Sequence, residues 1–273
     1  MIIVSGLPRS GTTFVAKLVA DLLRTRLCYE PFNAPLSEDY AGRPACPERL
    51  AAYLREHERY AHRYIGHNDG PPDPQTDVKI IRTAYILMRD SYPPSGVYKI
   101  MFWQWFGIMR ELWPDCRIVY VTRRLQSWLA SVVRSRNGES TPVYVGVLDQ
   151  LNNPTWPYGE EKHAPWIALG KAWASEGNAD LEPLYVAAAY YRLSLEAQLK
   201  ALHNEANEFI IVDYEALTAN YEVEAARLFA YCGIKAAPHE CERLLVQPKR
   251  TFGGIRFTPL DLAQVVEDVQ NHE

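Results

Sequence analysis

Residues Ile2 to Thr13 run Ile-Ile-Val-Ser-Gly-Leu-Pro-Arg-Ser-Gly-Thr-Thr, a β-branched stretch that gives way to a glycine-bounded loop and then to a helix. Met1, Ile2, Ile3 and Val4 have the pattern of a buried parallel strand, and from Thr12 the apolar residues Phe14, Val15, Leu18, Val19, Leu22 and Leu23 recur at helical spacing. The loop therefore lies at a helix N-terminus, where backbone N–H groups and the positive end of the helix dipole converge on an anion. Gly6 and Gly11 have the separation of a Walker A loop, but Thr12 and Thr13 stand where that frame requires Lys and then Ser or Thr. A kinase or ATPase would lack its β,γ-phosphate cation here. The loop supplies another cation, Arg9. Its planar guanidinium can clamp two oxygens of one phosphate or sulfate, which suits a short 5′ group better than a triphosphate. Taken alone, the same residues also fit a helix-capping turn without a ligand, because Ser and Thr cap helices too.

The loop resembles the 5′-phosphosulfate loop of the sulfotransferases that use 3′-phosphoadenosine 5′-phosphosulfate, and its Pro-Arg-Ser-Gly-Thr-Thr wording is nearest to their bacterial and Golgi-type branches. A second match follows the stretch Arg-Ile-Val-Tyr-Val-Thr, residues 117 to 122, a strand by its β-branched content. Arg123 stands at the end of that strand and Ser131 eight residues later, on a helix marked by Leu125, Trp128, Leu129, Val132 and Val133. Family members carry an arginine and a serine at this separation, both on the 3′-phosphate of the nucleotide. A charged fork with a hydroxyl can grip a monophosphate that NAD and ATP do not have. A third match is Phe209 to Leu217, Phe-Ile-Ile-Val-Asp-Tyr-Glu-Ala-Leu, before a helix through Ala225, Leu228 and Phe229 that ends near Gly233. The resemblance implies that Tyr214 lies near the adenine.

What the resemblance implies about the chemistry falls on a few further residues. Pro8, Arg9, Ser10, Gly11, Thr12 and Thr13 would hold the phosphosulfate, with Arg9 and the loop donors stabilising charge as the sulfuryl group moves. Glu30, 21 residues after Arg9 in Cys-Tyr-Glu-Pro-Phe-Asn, takes the place of the glutamate that accepts the acceptor proton in the Golgi-type and some bacterial branches. Lys99 ends the strand Gly-Val-Tyr-Lys-Ile-Met, where relatives place a cation that reaches the sulfuryl oxygens. Lys249 and Arg250, in Gln-Pro-Lys-Arg-Thr-Phe-Gly-Gly, resemble loosely the basic, glycine-containing loop closed over the 3′-phosphate; a solvated basic turn is the alternative. The cytosolic branch uses a histidine base instead, and His57, His62 and His67 fall on a polar helix or loop without a comparable marker.

A chain of 273 residues, 48% hydrophobic, can form one sizeable α/β core. The expectation is a single sulfotransferase domain over residues 1–273, a three-layer P-loop-like fold with a central parallel sheet flanked by helices. Strands are expected at about 2–5, 96–101, 117–122 and 208–213, with a short one near 27–29. The ligand then sits at their carboxyl ends. Turn-rich residues 66–77 and an irregular stretch over 136–162 are expected as loops, and Trp103, Trp105 and Phe106 are candidates to stack on an acceptor ring.

With 29 basic and 33 acidic side chains the net charge is −4, which predicts no general attraction to nucleic acid or anionic membrane. Cys28, Cys46, Cys116, Cys232 and Cys241 are an odd, scattered set without metal-ligand spacing, as expected of reduced thiols in a cytoplasm. No signal peptide precedes the first strand and no run of about 18 apolar residues appears, so a cytoplasmic enzyme without a membrane anchor is expected. The resulting expectation is sulfuryl transfer from 3′-phosphoadenosine 5′-phosphosulfate to a hydroxyl of a carbohydrate or small metabolite, without a metal. Two alternatives stay open: a P-loop kinase for a nucleoside or small molecule, and a non-catalytic nucleotide-binding relative. Neither the acceptor nor the oligomeric state is set by the sequence, because acceptor pockets come from variable loops.

Overall fold

The structure, a computed structural model, describes residues 1–7, 9–29, 48–56, 76–91, 95–100, 106–132, 160–174, 178–206, 208–236 and 257–271. They fall into two compact units, residues 1–122 with 198–246 and residues 123–197 with 247–273.

The first unit holds a five-stranded sheet made of β1 (Ile2–Gly6), β2 (Leu27–Tyr29), β3 (Val97–Lys99), β4 (Arg117–Thr122) and β5 (Phe209–Asp213). All pairings are parallel and the order is β2-β3-β1-β4-β5. The register sets Ile2 beside Val97 and Arg117, and Gly6 beside Val121. Between the strands and after them come α1 (Thr12–Leu22), α2 (Glu48–Glu56), α3 (Thr76–Ser91) and α4 (Phe106–Leu112). All five strand positions match the sequence expectation to within a residue or two.

Strand alternation sorts the core. Ile2, Val4, Val97, Val119, Val121, Ile210 and Val212 point to one face and pack on Val15, Leu18 and Val19 of α1. The same cluster takes in Ala225, Leu228 and Phe229, which belong to a helix after β5. That helix, α9 (Tyr221–Cys232), follows the short α8 (Tyr214–Ala219), and the helices α5 to α7 lie between α4 and β5 in the chain. Asp213 caps α8 by accepting the Ala216 N–H at 2.8 Å, and Gly233 ends α9 in the left-handed region. The opposite face carries Ile3, Ser5, Tyr98 and Tyr120, all buried. There the Tyr120 hydroxyl donates to Gln198 Oε1 at 2.6 Å, which brings helical residues from 198 onward onto that face. Helices thus cover both faces of the sheet, as buried parallel strands require.

The second unit is helical in its described residues. It contains α5 (Leu125–Val132), α6 (Glu160–Ala174), a 3-10 turn (Ala179–Leu181), the greater part of α7 (Glu182–Glu205) and α10 (Pro259–Asn271). Trp128, Trp166, Trp173, Tyr185 and Tyr190 form its centre with Leu129, Leu184 and Val265. Every residue from Leu184 to Tyr190 is buried, so this part of α7 is enclosed all round. At the start of α10 the Asp261 carboxylate accepts the Thr258 N–H at 2.6 Å and the Thr258 hydroxyl accepts the Asp261 N–H at 3.2 Å, a reciprocal capping box.

Two loop expectations need correction at their ends. Thr76 and Asp77 already open α3, and Glu160 to Lys162 already open α6. The rest of 66–77 and 136–162 lies outside the described residues. Phe106, proposed with Trp103 and Trp105 as an acceptor stack, is fully buried at the start of α4 and serves the core; the two tryptophans lie outside the described residues.

Candidate functional site

β1 stands inside the sheet with β3 on one side and β4 on the other, so the chain leaves its carboxyl end at a switch in strand order, where open α/β sheets bind ligands. Gly6 makes that exit feasible. Its φ is 148°, and a Cβ there would meet the Val121 carbonyl oxygen and come within 3.1 Å of Thr12 Cγ2. Leu7 and Ser10 then close a turn, with the Ser10 N–H donating to the Leu7 carbonyl at 3.1 Å.

Arg9 occupies the third position of this turn at φ 68°. Glycine or asparagine normally fills such a place, and an arginine there costs ~1–2 kcal/mol of backbone strain. Strain of this kind, held by surrounding structure, points to function. Gly11 follows at φ 92° and ψ 8° as the N-cap of α1, contributing no capping oxygen, and no acidic residue lies in the first helical turn. Ser10 and Thr12 are buried. The result is a helix start with buried Ser10 and Thr12, backbone donors, one arginine in its turn and no acidic residue in its first helical turn, which is the chemistry of an anion cradle.

The Tyr214 ring closes the back of the cradle. A Cβ on Gly11 would lie 2.6 Å from Tyr214 Cε2 and 3.1 Å from its Cγ. Phe14 meets the same ring edge-on, with centroids 6.2 Å apart. Lys99 ends β3 and is only 4% exposed. It pairs in register with Val4 and Tyr29, and by alternation it shares the face of Val97, which α1 covers. A lysine this buried is rare without partners, and its place is the carboxyl end of β3.

In the second unit, the backbone carbonyl of Arg123 accepts the Tyr191 hydroxyl of α7, and Tyr191 in turn lies 5.3 Å from the Trp128 ring of α5. Ser131 on α5 is 6% exposed. It therefore does not face solvent as an ordinary helix serine would. Pro8, Glu30, Lys249 and Arg250 lie outside the described residues. Glu30 is the next residue after Tyr29, the register partner of Lys99.

Sequence reasoning missed two packing partners of these residues. Tyr191 carries no motif and sits inside a long apolar run, so only the fold reveals that it holds Arg123. Tyr214 was singled out, but not its contact with Gly11, which is remote in sequence. Among the described cysteines, burial pushes Cys28 up to about 11 and Cys232 up to about 12, and raises Cys116 as well, which disfavours the nucleophilic thiolate. Among the described residues no cluster of His, Cys, Asp and Glu is placed to hold a metal ion, and no helix is long and apolar enough to cross a membrane.

Fold and loop together define an α/β protein whose glycine-bounded loop leads from β1 into the N-terminus of α1 and carries an arginine but not the Walker lysine. The family model described as "Sulfotransferase family" matches residues 2–161, and the chain belongs to that family. Among solved structures, a sulfotransferase from Alicyclobacillus acidocaldarius is similar over 98% of this chain and 92% of its own, at 13% identity and a TM-score of 0.45. No curated protein sequence matches the chain.

Proposed function

We propose that this protein transfers a sulfuryl group from 3′-phosphoadenosine 5′-phosphosulfate to an acceptor hydroxyl on a carbohydrate or small metabolite. The observation that carries the reading is Arg9, held at φ 68° beside a helix start whose N-cap supplies no side-chain oxygen. That donor set fits a singly clamped phosphosulfate and lacks the lysine that a triphosphate needs. When bound, the nucleotide supplies an already activated sulfuryl group, with a phosphate as its leaving group.

The protein's own residues then have three tasks. Arg9 and the donors of Ser10, Gly11, Thr12 and Thr13, together with Pro8, bind and orient the 5′ group and stabilise negative charge where it develops. Losing one such preorganised donor typically costs ~3–4 kcal/mol of barrier. Lys99 adds a buried cation for the sulfuryl oxygens. Glu30 takes the proton from the acceptor hydroxyl as it attacks, which requires a carboxylate within hydrogen-bond reach of that hydroxyl. Arg123 and Ser131 hold the 3′-phosphate, helped by Lys249 and Arg250. No metal enters this scheme. Residues 1–273 act as one sulfotransferase domain in this reading, and the buried free thiols Cys28, Cys116 and Cys232 support a cytoplasmic setting.

The test is a calorimetric titration with adenosine 3′,5′-bisphosphate in the absence of magnesium, beside ATP with magnesium and beside Arg123→Ala. Micromolar binding of the bisphosphate, lost in the variant, is the expected result. A preference for magnesium ATP would overturn the donor assignment, as would no binding of either nucleotide. Loss of turnover in Glu30→Gln with unchanged bisphosphate binding would then identify the base.

A further inference from the structure

We infer that Tyr214 is the positioning residue of the anion loop, its ring fixing Gly11 so that the loop is set for the 5′ group before any ligand arrives. This rests on the proposed reading of the loop and deepens it. The role that the family resemblance implies, a contact with adenine, is a different one and makes a different prediction.

Tyr214 is the first residue of α8, directly after β5, and the Asp213 cap at 2.8 Å fixes the point at which strand becomes helix. From there the ring reaches the loop that follows β1, although β4 stands between the two strands. It occupies the volume that a side chain at position 11 would need, with Cε2 at 2.6 Å and Cγ at 3.1 Å from the position of a Cβ. Phe14, on the first turn of α1, holds the ring from the side at an interplanar angle of 90°.

The consequence is conformational. A glycine at φ 92° has wide freedom once nothing packs on it, and the direction of the neighbouring backbone donors depends on that torsion. A flat, rigid ring against the glycine removes the freedom, so the loop need not be ordered at the moment of binding. The ring does this by shape, and its hydroxyl is not required.

The experiment measures dissociation constants for adenosine 3′,5′-bisphosphate and adenosine 3′-monophosphate on the wild type, Tyr214→Ala, Tyr214→Leu and Tyr214→Phe. It is paired with amide hydrogen exchange of residues 10–13 in the unliganded proteins. The bisphosphate should weaken ~3- to 10-fold in the Ala and Leu variants, the range expected for losing one aromatic packing contact, while the 3′-monophosphate holds. Loop amides should exchange faster in the same two variants, and Phe should restore both readouts. Equal weakening of both nucleotides would assign the ring to the base and overturn the inference. So would unchanged exchange, or a Phe variant as impaired as Ala. If Ala fails to fold, the Leu variant decides. A wild type that binds neither nucleotide would sink the donor assignment, and the exchange measurement would still decide whether Tyr214 sets the loop.

Discussion

The two compact units of this chain solve the packing problem by opposite means. In the sheet unit, short β-branched strands alternate between two faces, and the candidate chemistry rests on the backbone: a turn, a left-handed arginine and a helix start. In the helical unit, bulky rings fill the centre. Trp128 stacks on Tyr190 at 6.1 Å, Trp166 meets Tyr190 edge-on at 5.1 Å, and Tyr185 bonds Asp268 of α10. The lesson is that an anion cradle needs a fixed backbone more than large side chains, whereas in the helical unit the Arg123 carbonyl is held by Tyr191 and Ser131 is buried on the helix that carries Trp128.

The sharpest way to break the contrast is Trp128→Ala. Deleting a buried tryptophan should cost ~3–5 kcal/mol, seen as a drop in the urea midpoint, and it should weaken nucleotide binding with it. A loss below 1 kcal/mol would mean that the rings are not what holds the helical unit together. Arg9→Gly probes the other mode. Binding of adenosine 3′,5′-bisphosphate should fall ~10- to 100-fold, the worth of a charge-assisted contact, while stability rises by ~0.5–1 kcal/mol as the left-handed strain is relieved. If stability and binding fall together, the arginine is structural and the strain argument fails.

Gly170→Ala returns to the helical unit. A Cβ there would lie 2.6 Å from Val186 N and 2.8 Å from its Cγ2, so α6 and α7 must separate. Overpacking of this kind should cost ~1–3 kcal/mol by thermal or urea unfolding, and a neutral alanine would show that the two helices have room to give.

The smallest effect separates the units by pH. The three described cysteines, Cys28, Cys116 and Cys232, belong to the sheet unit. Burial lifts Cys28 from 9.0 to about 11 and Cys232 from 9.0 to about 12, so the folded protein keeps protons that the unfolded chain releases. Their stabilising contribution is complete below pH 9.0 and is lost as pH rises towards those values. Each fully titrating thiol lowers stability by at most ~1.4 kcal/mol per pH unit. From pH 9.0 the described thiols of the sheet unit titrate ahead of Tyr185 in the helical unit, which is raised to about 12 from an ordinary value of 10.0. The Cys232→Ala variant should flatten the decline, and an unchanged slope would assign it to other groups.

The strands and α1 were legible because their signals are local: Ile2 to Val4 and Ile118 to Val121 are β-branched or apolar runs that can only be buried, and Phe14, Val15, Leu18 and Val19 keep a helical period. α6 was harder to delimit. It opens on Glu160, Glu161 and Lys162, which bear no apolar periodicity, so its first turn looked like loop. The buried block Leu184 to Tyr190 gives no stripe either, since a helix enclosed on all sides has no polar face to mark its period.

The sequence by itself determined the parallel sheet, the loop between Gly6 and Thr13, and the charge that this loop presents, because each is written in contiguous residues whose local preferences agree. Only the tertiary structure decided that Lys99 is buried at the carboxyl end of β3, that Tyr191 holds the Arg123 carbonyl, and that Tyr214 lies on Gly11. Those contacts join residues far apart in the chain. Their existence depends on strand order and helix packing, which no local preference specifies.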